Sequence, residues 1–321
     1  MITAEPKTLS RQLSRVLDEV QIAEDLTTAT VGHREIQADN SRELQRLLAA
    51  ALYEVLHAGF DADRGPVPFH IRDSRFEKRL TEAVPHRNTR TIGKVRSLPL
   101  VEGGPVLLER EGVLVWTPAE RIHDHEVLTV GKEVEVEVNA IRPALSPGFF
   151  LVDGSRPATV RSDVLRVYVH LTNPDDAAPA WGTTLRHLEE NGARYRAKVL
   201  SAPTLYPRRD ALVIYLRQGS WELADGLAGA LHGLPGLAPD VSLFARPLAA
   251  GVAAAWEPDD RRAYMRGMSF GQHRAGVIAQ ALIDHKKGLG ALPQTLAERM
   301  REARIRLDDL ASNTDSPALL A

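Results

Sequence analysis

Short stretches in which apolar residues alternate with polar ones begin near residue 100, and this period of two constrains the fold more than any other feature. Val106–Leu108 and Val113–Trp116 flank Glu111–Gly112, and alternating valines at 134–138 follow Gly131–Lys132, so both regions predict hairpins. Further strand candidates lie at 148–153, 164–171, 195–200 and 211–217, and helical spacing appears at 178–191, 220–231, 270–286 and 293–311. Because strands and helices do not alternate strictly, we predict an α+β fold on a largely antiparallel sheet flanked by helices.

The first hundred residues differ from the rest in pattern and composition. Helical spacing at 8–26 and 41–58 predicts two packed helices, and a stretch rich in proline, glycine and arginine follows at 60–99. Segment 64–96 carries nine Lys or Arg residues against three acids, which indicates either a solvated, partly mobile loop or a docking surface for an acidic or phosphorylated peptide. We therefore predict a helical, basic N-terminal region at 1–100, an α+β domain at 101–311 and a flexible tail at 312–321.

The composition excludes several classes of function. Without cysteine, the chain has no disulfide, no thiolate zinc site and no cysteine nucleophile. A net charge of −2 argues against a general nucleic-acid binder. No apolar run reaches the length of a membrane span, and Met1–Gln12 lacks the basic-then-apolar order of a signal peptide. We expect a cytoplasmic protein that binds neither nucleic acid nor membrane.

Basic and phenolic side chains gather on strand faces between residues 166 and 217. Alternation places Arg166, Tyr168 and His170 on one face of a strand, and Arg196 and Lys198 on one face of another. Residues 194–217 contain six basic residues and one acid. A strand face with so many positive charges contributes little to stability unless it binds an anion. Phosphate is the anion that best suits several arginine side chains.

Three segments carry a family resemblance. Residues 206–215 read YPRRDALVIY, residues 244–251 read FARPLAAG ahead of Glu257-Pro258, and residues 269–274 read SFGQHR. Together they resemble the HopA-type effector family, first met in type III secretion by plant pathogens, whose actinobacterial members occur in class V lanthipeptide and thioamitide biosynthesis. The family's core resembles the phosphothreonine lyases, and the resemblance covers roughly residues 160–285.

The resemblance implies a lyase that works beside a kinase. A kinase-like partner would phosphorylate Ser or Thr in a precursor peptide. This chain would then expel the phosphate by β-elimination, without metal or cofactor, to leave dehydroalanine or dehydrobutyrine. By the same resemblance Lys198 would be the base and His170 the acid. The remaining expected site residues are the phosphate ligands Arg166, Arg208 and Arg274 and the supporting residues Tyr168, Tyr215, Arg196 and Arg246.

Alternatives remain at the level of the residues. Lys198 could be a strand-edge lysine that opposes aggregation, and Arg208 could simply pair with Asp210. His123, Asp124 and His125 form a cluster without an evident third metal ligand. The whole chain could instead be a non-catalytic module that binds a phosphopeptide or leader peptide, or an effector-like protein that acts on a host phosphoprotein.

Overall fold

The structure is a computed structural model, and it describes residues 11–59, 71–110, 112–123, 127–156 and 163–318. Part of the basic segment 64–96, both Asp124 and His125, and the last three residues of the predicted tail lie outside the described residues. No helix in these ranges is long and apolar enough to cross a membrane.

The first sixty residues contain the two predicted helices and a small sheet between them. The helices are α1 (Arg11–Asp18) and α2 (Ser41–Leu52), and a π-helical turn at Tyr53–Ala58 continues α2. The antiparallel strands are β1 (Gln21–Ile22), β2 (Thr28–Val31) and β3 (Arg34–Gln37). The predicted helix at 8–26 was too long, because the chain turns into this sheet after Asp18. A region expected to be helical therefore also contains strands.

The segment predicted as a possible mobile loop contains a helix and a long strand. Helix α3 (Ser74–Glu82) begins where the Asp73 carboxylate accepts a hydrogen bond from the Phe76 amide, and it buries Phe76 and Leu80. Antiparallel strands β4 (Asn88–Ser97), β5 (Val106–Arg110), β6 (Val113–Thr117) and β7 (Glu133–Asn139) follow, in the order β6-β5-β4-β7. The domain boundary predicted at residue 100 falls between β4 and β5, which pair in the same sheet.

A six-stranded antiparallel sheet forms the centre of the molecule. Its strands are β8 (Phe149–Asp153), β9 (Leu165–Leu171), β10 (Tyr195–Leu200), β11 (Arg208–Leu216), β12 (Arg246–Ala249) and β13 (Val252–Trp256). They lie in the order β12-β13-β9-β11-β10-β8, so β9 and β11 are central. Every residue of β9 is buried, which means that both faces of the sheet are covered there. The predicted α+β fold with a largely antiparallel sheet is confirmed.

Helices flank this sheet and a short hairpin follows them. Helices α4 (Ala177–Glu190), α5 (Leu223–Leu231) and α6 (Phe270–Lys286) agree closely with their predicted ranges. Helix α7 (Leu292–Glu302) ends well before residue 311, because the chain turns through Arg304 at a positive φ and forms the hairpin strands β14 (Ile305–Arg306) and β15 (Asp309–Asn313). The prediction of one helix over 293–311 was wrong at its C-terminal half. Ser312 and Asn313, expected in a flexible tail, are buried.

The face of the central sheet that carries the polar side chains is covered by the π-helical turn and the start of α6. The His57 ring lies edge-on to Tyr168, with centroids 5.0 Å apart, and 5.8 Å from the Phe270 ring. Trp181 of α4 is fully buried and packs edge-on against Phe150 of β8 at 6.4 Å. These covering elements leave a cavity over part of the polar face.

Candidate functional site

The cavity has a volume of about 650 Å³ and its floor is formed by three central strands. Arg166 and Tyr168 of β9, Lys198 of β10 and Tyr215 of β11 line it. Its walls come from Tyr53 and His57 of the π-helical turn, from Phe149, and from the segment 257–272. Four of the residues predicted from sequence therefore meet in one cavity.

Strand register explains why these four side chains meet. Lys198 lies opposite Val213, which lies opposite Tyr168, so all three side chains project from the same face of the sheet. In the adjacent row Arg196 lies opposite Tyr215, which lies opposite Arg166. Alternation of side chains along each strand determines which residues share its polar face. The register between strands then places the polar side chains of neighbouring strands side by side.

Lys198 is held by aromatic rings and not by an acid. Its Nζ lies 4.0 Å from the centroid of Phe149 and 5.9 Å from that of Tyr215. No Asp or Glu in the described ranges forms an ion pair or hydrogen bond with it. Cation–π contacts position the amine, and its N–H groups do not donate to a carboxylate. The amine therefore stays available to a ligand in the cavity.

The Tyr168 hydroxyl is a buried polar group whose hydrogen bonding is incomplete. Its oxygen is inaccessible to solvent, and no hydrogen bond of ordinary geometry to it exists among the described residues, although the Arg166 guanidinium lies close enough to interact with it. Burial raises the pKa of Tyr168 above its usual value, so the phenol stays protonated and can donate. A buried hydroxyl left unsatisfied costs about 1–3 kcal/mol. Tyr168 lines the cavity, and a ligand there would satisfy the hydroxyl once the side chains that cover its oxygen move aside.

Arg166 reaches the cavity in a fixed orientation. Its Nη2 donates to Glu257 Oε1 at 2.6 Å and its Nε donates to Glu257 Oε2, so the pair is bidentate. Its guanidinium also lies 4.9 Å from the Tyr215 ring centroid. Burial alone would lower the pKa of Arg166, but Tyr168 and Glu257 outweigh it and the pKa is raised. Arg166 is therefore a permanent, well-positioned cation beside Tyr168.

Arg208 lies behind the cavity wall and organises two residues that line it. Its Nε and Nη2 donate to the two Asp210 oxygens at 2.6 and 2.7 Å, and Nη2 also donates to the Tyr53 hydroxyl at 2.7 Å. Burial alone would raise the pKa of Asp210, yet the Arg208 guanidinium holds that pKa well below its usual range. The pairing of Arg208 with Asp210 that sequence left open is present, and it makes this cluster a rigid wall.

His57 lies against this cluster in a fully buried position. Its Nδ1 is 2.7 Å from Ser242 Oγ, and its Nε2 is 3.9 Å from Asp210 Oδ2. Burial lowers the pKa of His57 and the nearby Asp210 raises it. The effect of burial is the larger one, so the pKa falls to about 4. The imidazole is therefore neutral at physiological pH.

A second buried chain of polar groups runs from the cavity wall into α6. His273 Nε2 lies 2.9 Å from Asp260 Oδ2, and Arg274 Nη1 donates to His273 Nδ1 at 2.8 Å. Arg274 also donates to the Leu310 carbonyl and to Asn313, and its side chain is fully buried. Burial lowers the pKa of Arg274 to about 9. Arg274 ties α6 to the C-terminal hairpin and does not line the cavity.

Three further predicted residues also lie outside this cavity. His170 Nδ1 is 2.9 Å from the Asp240 carbonyl and 3.2 Å from its carboxylate. Arg196 donates to Asp153 at 2.5 Å, and Arg246 donates to Asp309 at 2.8 Å. No group of three or more His, Asp or Glu side chains in the described ranges is arranged to hold a metal ion.

Sequence analysis did not select several residues that complete the site. Tyr53 and His57 come from a helix more than a hundred residues before the strands, and nothing in their local pattern marks them. Glu257 stood inside the Glu-Pro segment of the family resemblance, so its pairing with Arg166 had a signal. Asp260 follows three residues later and had none.

Comparison with known proteins agrees with the resemblance seen in the sequence. The model of the HopA1 effector protein family matches residues 140–313, more than half of the chain. No curated protein matches it.

Two solved structures are similar. One is the effector protein from Pseudomonas syringae pv. tomato strain DC3000, with 20% identity and a TM-score of 0.42 over 51% of this chain and 62% of that one. The other is the effector protein from Pseudomonas syringae pv. syringae strain 61, with 14% identity and a TM-score of 0.48 over 83% and 89%. The family match rests on the sequence itself and spans all six strands of the central sheet, so the chain belongs to the HopA1 effector protein family.

Proposed function

We propose that the protein is a phosphoserine/phosphothreonine lyase that β-eliminates phosphate from a peptide. The observation that supports this most strongly is the Lys198 amine, held over Phe149 without an acidic partner in the described ranges. It shares one cavity with the unsatisfied hydroxyl of Tyr168. Removal of a Cα proton needs a base and a hydrogen-bond donor, and these two side chains lie in one cross-strand row.

Lys198 is the base of the proposed reaction. Its amine takes the Cα proton of the phosphorylated residue, the C–H electron pair forms the Cα–Cβ double bond, and the Cβ–O bond breaks. Phosphate leaves with the electron pair of the Cβ–O bond. Phosphoserine would give dehydroalanine and phosphothreonine would give dehydrobutyrine. Lys198 and Tyr168 lie in the same cross-strand row, so both groups can reach one substrate residue.

Tyr168 is the proposed donor to developing negative charge. As the Cα proton leaves, charge builds on the adjacent carbonyl oxygen of the substrate. A protonated phenol whose hydrogen bonding is incomplete can donate to that oxygen without first breaking another hydrogen bond. Arg166, 4.9 Å from the Tyr215 ring, adds a fixed positive charge on the same side of the cavity.

The rim of the cavity at the start of α6 suits the phosphate. Ser269 and Gln272 at the start of α6 line the cavity, and the first-turn amides of a helix favour an anion. Arg266 is exposed on the same rim and has no acidic partner in the described ranges. These groups support a bound orientation in which the phosphate lies at the α6 end of the cavity and the Cα proton lies over Lys198.

Three residues expected to act directly have no direct role in the proposed reaction. His170 binds Asp240 and Arg274 binds the C-terminal hairpin, and neither lines the cavity. Arg208 acts instead by holding Asp210 and Tyr53 in the wall.

We further propose a separate kinase and a ribosomally made precursor peptide as the partners. The reaction begins with a phosphorylated Ser or Thr, which a kinase must supply. The sequence resemblance to family members of lanthipeptide and thioamitide biosynthesis supports a peptide of that kind as the substrate.

Mass spectrometry of a phosphorylated Ser/Thr peptide incubated with the protein tests the proposal. We expect the wild-type protein to remove the elements of phosphoric acid from the peptide. Lys198→Ala should slow that loss by about 10²–10⁴-fold, the usual contribution of one general base. Lys287→Ala, which removes an exposed lysine after α6, is the matched control and should leave the rate unchanged.

One outcome would contradict the role of Lys198, and another would contradict the lyase itself. If wild type and Lys198→Ala eliminate phosphate equally fast, Lys198 is not the base. If neither eliminates phosphate but both still bind the phosphopeptide, the protein is a binding module and the chemistry belongs to a partner.

A further inference from the structure

A second groove, of about 570 Å³, lies between the four-stranded sheet and the β8–β10 edge of the central sheet. Its lining contains seven basic residues and three acids. The basic residues are Arg90, Lys94, Arg96, Arg142, Arg156, Arg196 and Arg217, and the acids are Glu109, Glu133 and Asp153. The lining therefore carries a positive excess, although the chain as a whole has a net charge of −2.

One wall of the groove is a strand face. Arg90, Ile92, Lys94 and Arg96 alternate along β4, and their side chains face away from the buried Val95. At ~3.3 Å per residue this row is about 20 Å long, which matches roughly six residues of an extended chain. Ile92, which is 43% exposed, provides an apolar contact within the row.

Part of the positive charge in the groove has no acidic counterpart. Asp153 pairs with Arg142 and Arg196, and Glu109 pairs with Arg96. Within the described ranges no Asp or Glu forms an ion pair with Arg156 or Arg217.

Arg217 in particular has an unsatisfied hydrogen-bond donor. Its Nε is buried and no hydrogen-bond partner for it exists among the described residues. Burial, reinforced by the neighbouring Arg196 guanidinium, lowers the pKa of Arg217. An anion that entered the groove would relieve both effects.

The groove lies next to the cavity that contains Lys198. Arg196 of the groove and Lys198 of the cavity lie two residues apart on the same face of β10. Tyr215 of the cavity and Arg217 of the groove have the same relation at the end of β11. Two residues of a strand span about 7 Å, so one extended peptide could occupy both sites.

We propose that this groove binds an acidic, extended segment of a peptide, next to the residue that enters the cavity. The delivery of a phosphorylated residue to Lys198 rests on the proposed lyase function, whereas binding of the acidic segment does not. Because an extended peptide advances about 3.3 Å per residue, its nearest acidic side chain would lie roughly two residues from the reacting one.

A peptide suits the groove better than a nucleic acid. Glu109, Glu133 and Asp153 interrupt the basic lining and would repel a continuous phosphate backbone. Spaced carboxylates on a peptide can avoid these acids and still reach the arginines. Three of the basic residues lie on β4 in one row with the exposed Ile92, which a mixed acidic and apolar segment would match.

Fluorescence anisotropy with an unphosphorylated peptide tests the groove separately from any chemistry. The probe is an extended peptide with four Asp or Glu residues, and its comparison peptide carries Asn or Gln at those positions. We expect tighter binding of the acidic probe, and we expect Arg156→Gln/Arg217→Gln to weaken it by roughly five- to tenfold, as loss of two charge contacts would. Arg75→Gln/Arg301→Gln removes two exposed arginines that do not line the groove and should leave affinity unchanged.

The outcomes separate the two proposals. Equal affinity for acidic and neutral peptides, equal weakening by both double variants, or tighter binding of a single-stranded oligonucleotide would each overturn the groove assignment. The exposed Arg156→Gln alone gives the same readout if Arg217→Gln alters the circular dichroism of the folded protein. Phosphate elimination from a phosphopeptide without acidic residues should be equal in wild type and groove variants. If neither the wild-type protein nor any groove variant eliminates phosphate from this peptide, the proposed lyase function is refuted instead.

Discussion

At the scale of single residues, the site contains a polar group that the fold does not satisfy. The Tyr168 hydroxyl lies at the centre of a fully buried strand, within the ring cluster of His57 and Phe270, and has no hydrogen bond of ordinary geometry in the described part of the chain. Phenylalanine would fill the same space without the cost of an unsatisfied hydroxyl. A tyrosine here therefore favours a role in binding or reaction over a role in stability.

Tyr168→Phe should separate these roles. We expect the free energy of unfolding to stay constant or rise by about 1 kcal/mol, because an unsatisfied buried hydroxyl is removed. We expect phosphate elimination to slow by about 10²-fold or more, as for loss of one donor to developing charge. Urea unfolding and mass spectrometry measure the two effects. If the variant instead loses stability while phosphate elimination is little changed, the hydroxyl has a structural partner.

At the scale of elements, α6 approaches the π-helical turn unusually closely. A Cβ added at Gly271 would lie 2.3 Å from the His57 ring, so glycine permits the contact. The start of α6 and His57 both line the cavity, and the width of the cavity depends on this approach. The Ser269 capping box and the Arg274 hydrogen bonds hold the same end of the helix.

Gly271→Ala should therefore destabilise the protein although alanine favours helices. We expect a loss of about 1–3 kcal/mol from overpacking. Gly276→Ala is the matched control in the same helix, because its nearest contact would be Met265 at an ordinary 3.9 Å. That control should gain about 0.5–1 kcal/mol. Thermal unfolding of both variants measures the difference, and equal stabilities would mean that the close approach does not exist.

At the scale of the whole molecule, two buried neutral histidines link stability to pH. Burial lowers the pKa of both His57 and His273 from 6.5 to about 4. Below pH 6.5 the unfolded chain binds protons at these positions, whereas the folded protein does not until pH approaches 4. The free energy of unfolding therefore falls as pH falls through this range.

Urea unfolding between pH 7 and pH 4.5 checks this expectation. Each histidine contributes on the order of 2–3 kcal/mol to the fall. His57→Gln should remove about half of it, whereas His232→Gln, at an exposed position, should leave it intact. Asp260, whose pKa is lowered to about 2 by Arg262 and His273 against the effect of burial, titrates below this range. A stability that does not change over this range would contradict the buried neutral state.

The described part of the chain contains two hydrophobic clusters of unequal size. The larger one surrounds the central sheet and the helices, and the smaller one consists of Val95, Val106, Leu108, Val134 and Val136 inside the four-stranded sheet. Residues 140–313, which match the family, include the central sheet and leave out the four-stranded one. The strands that form the floor of the cavity thus belong to the family core, whereas Tyr53 and His57 in its wall and one wall of the basic groove come from outside it.

Much of the central sheet follows from local patterns in the sequence. Alternation predicted β8, β9 and β10 to within one residue at each end, because the two faces of a strand meet different environments. It also predicted that Arg166 shares a face with Tyr168, and Arg196 with Lys198. Strand β4 escaped detection because its alternation sets arginine and lysine against small residues, with Val95 as the largest buried side chain.

The sequence by itself therefore determined the fold class, the family and which side chains share a strand face, since all of these depend on periodicity and short motifs. Only the tertiary structure decided which faces meet and what covers them. Register places Lys198 in one row with Tyr168, and a helix from the first sixty residues brings His57 against them. The tertiary structure also directs Arg274 to Leu310 and His170 to Asp240, so neither side chain lines the cavity. These contacts join residues far apart in the chain, and their choice depends on packing that no local pattern encodes.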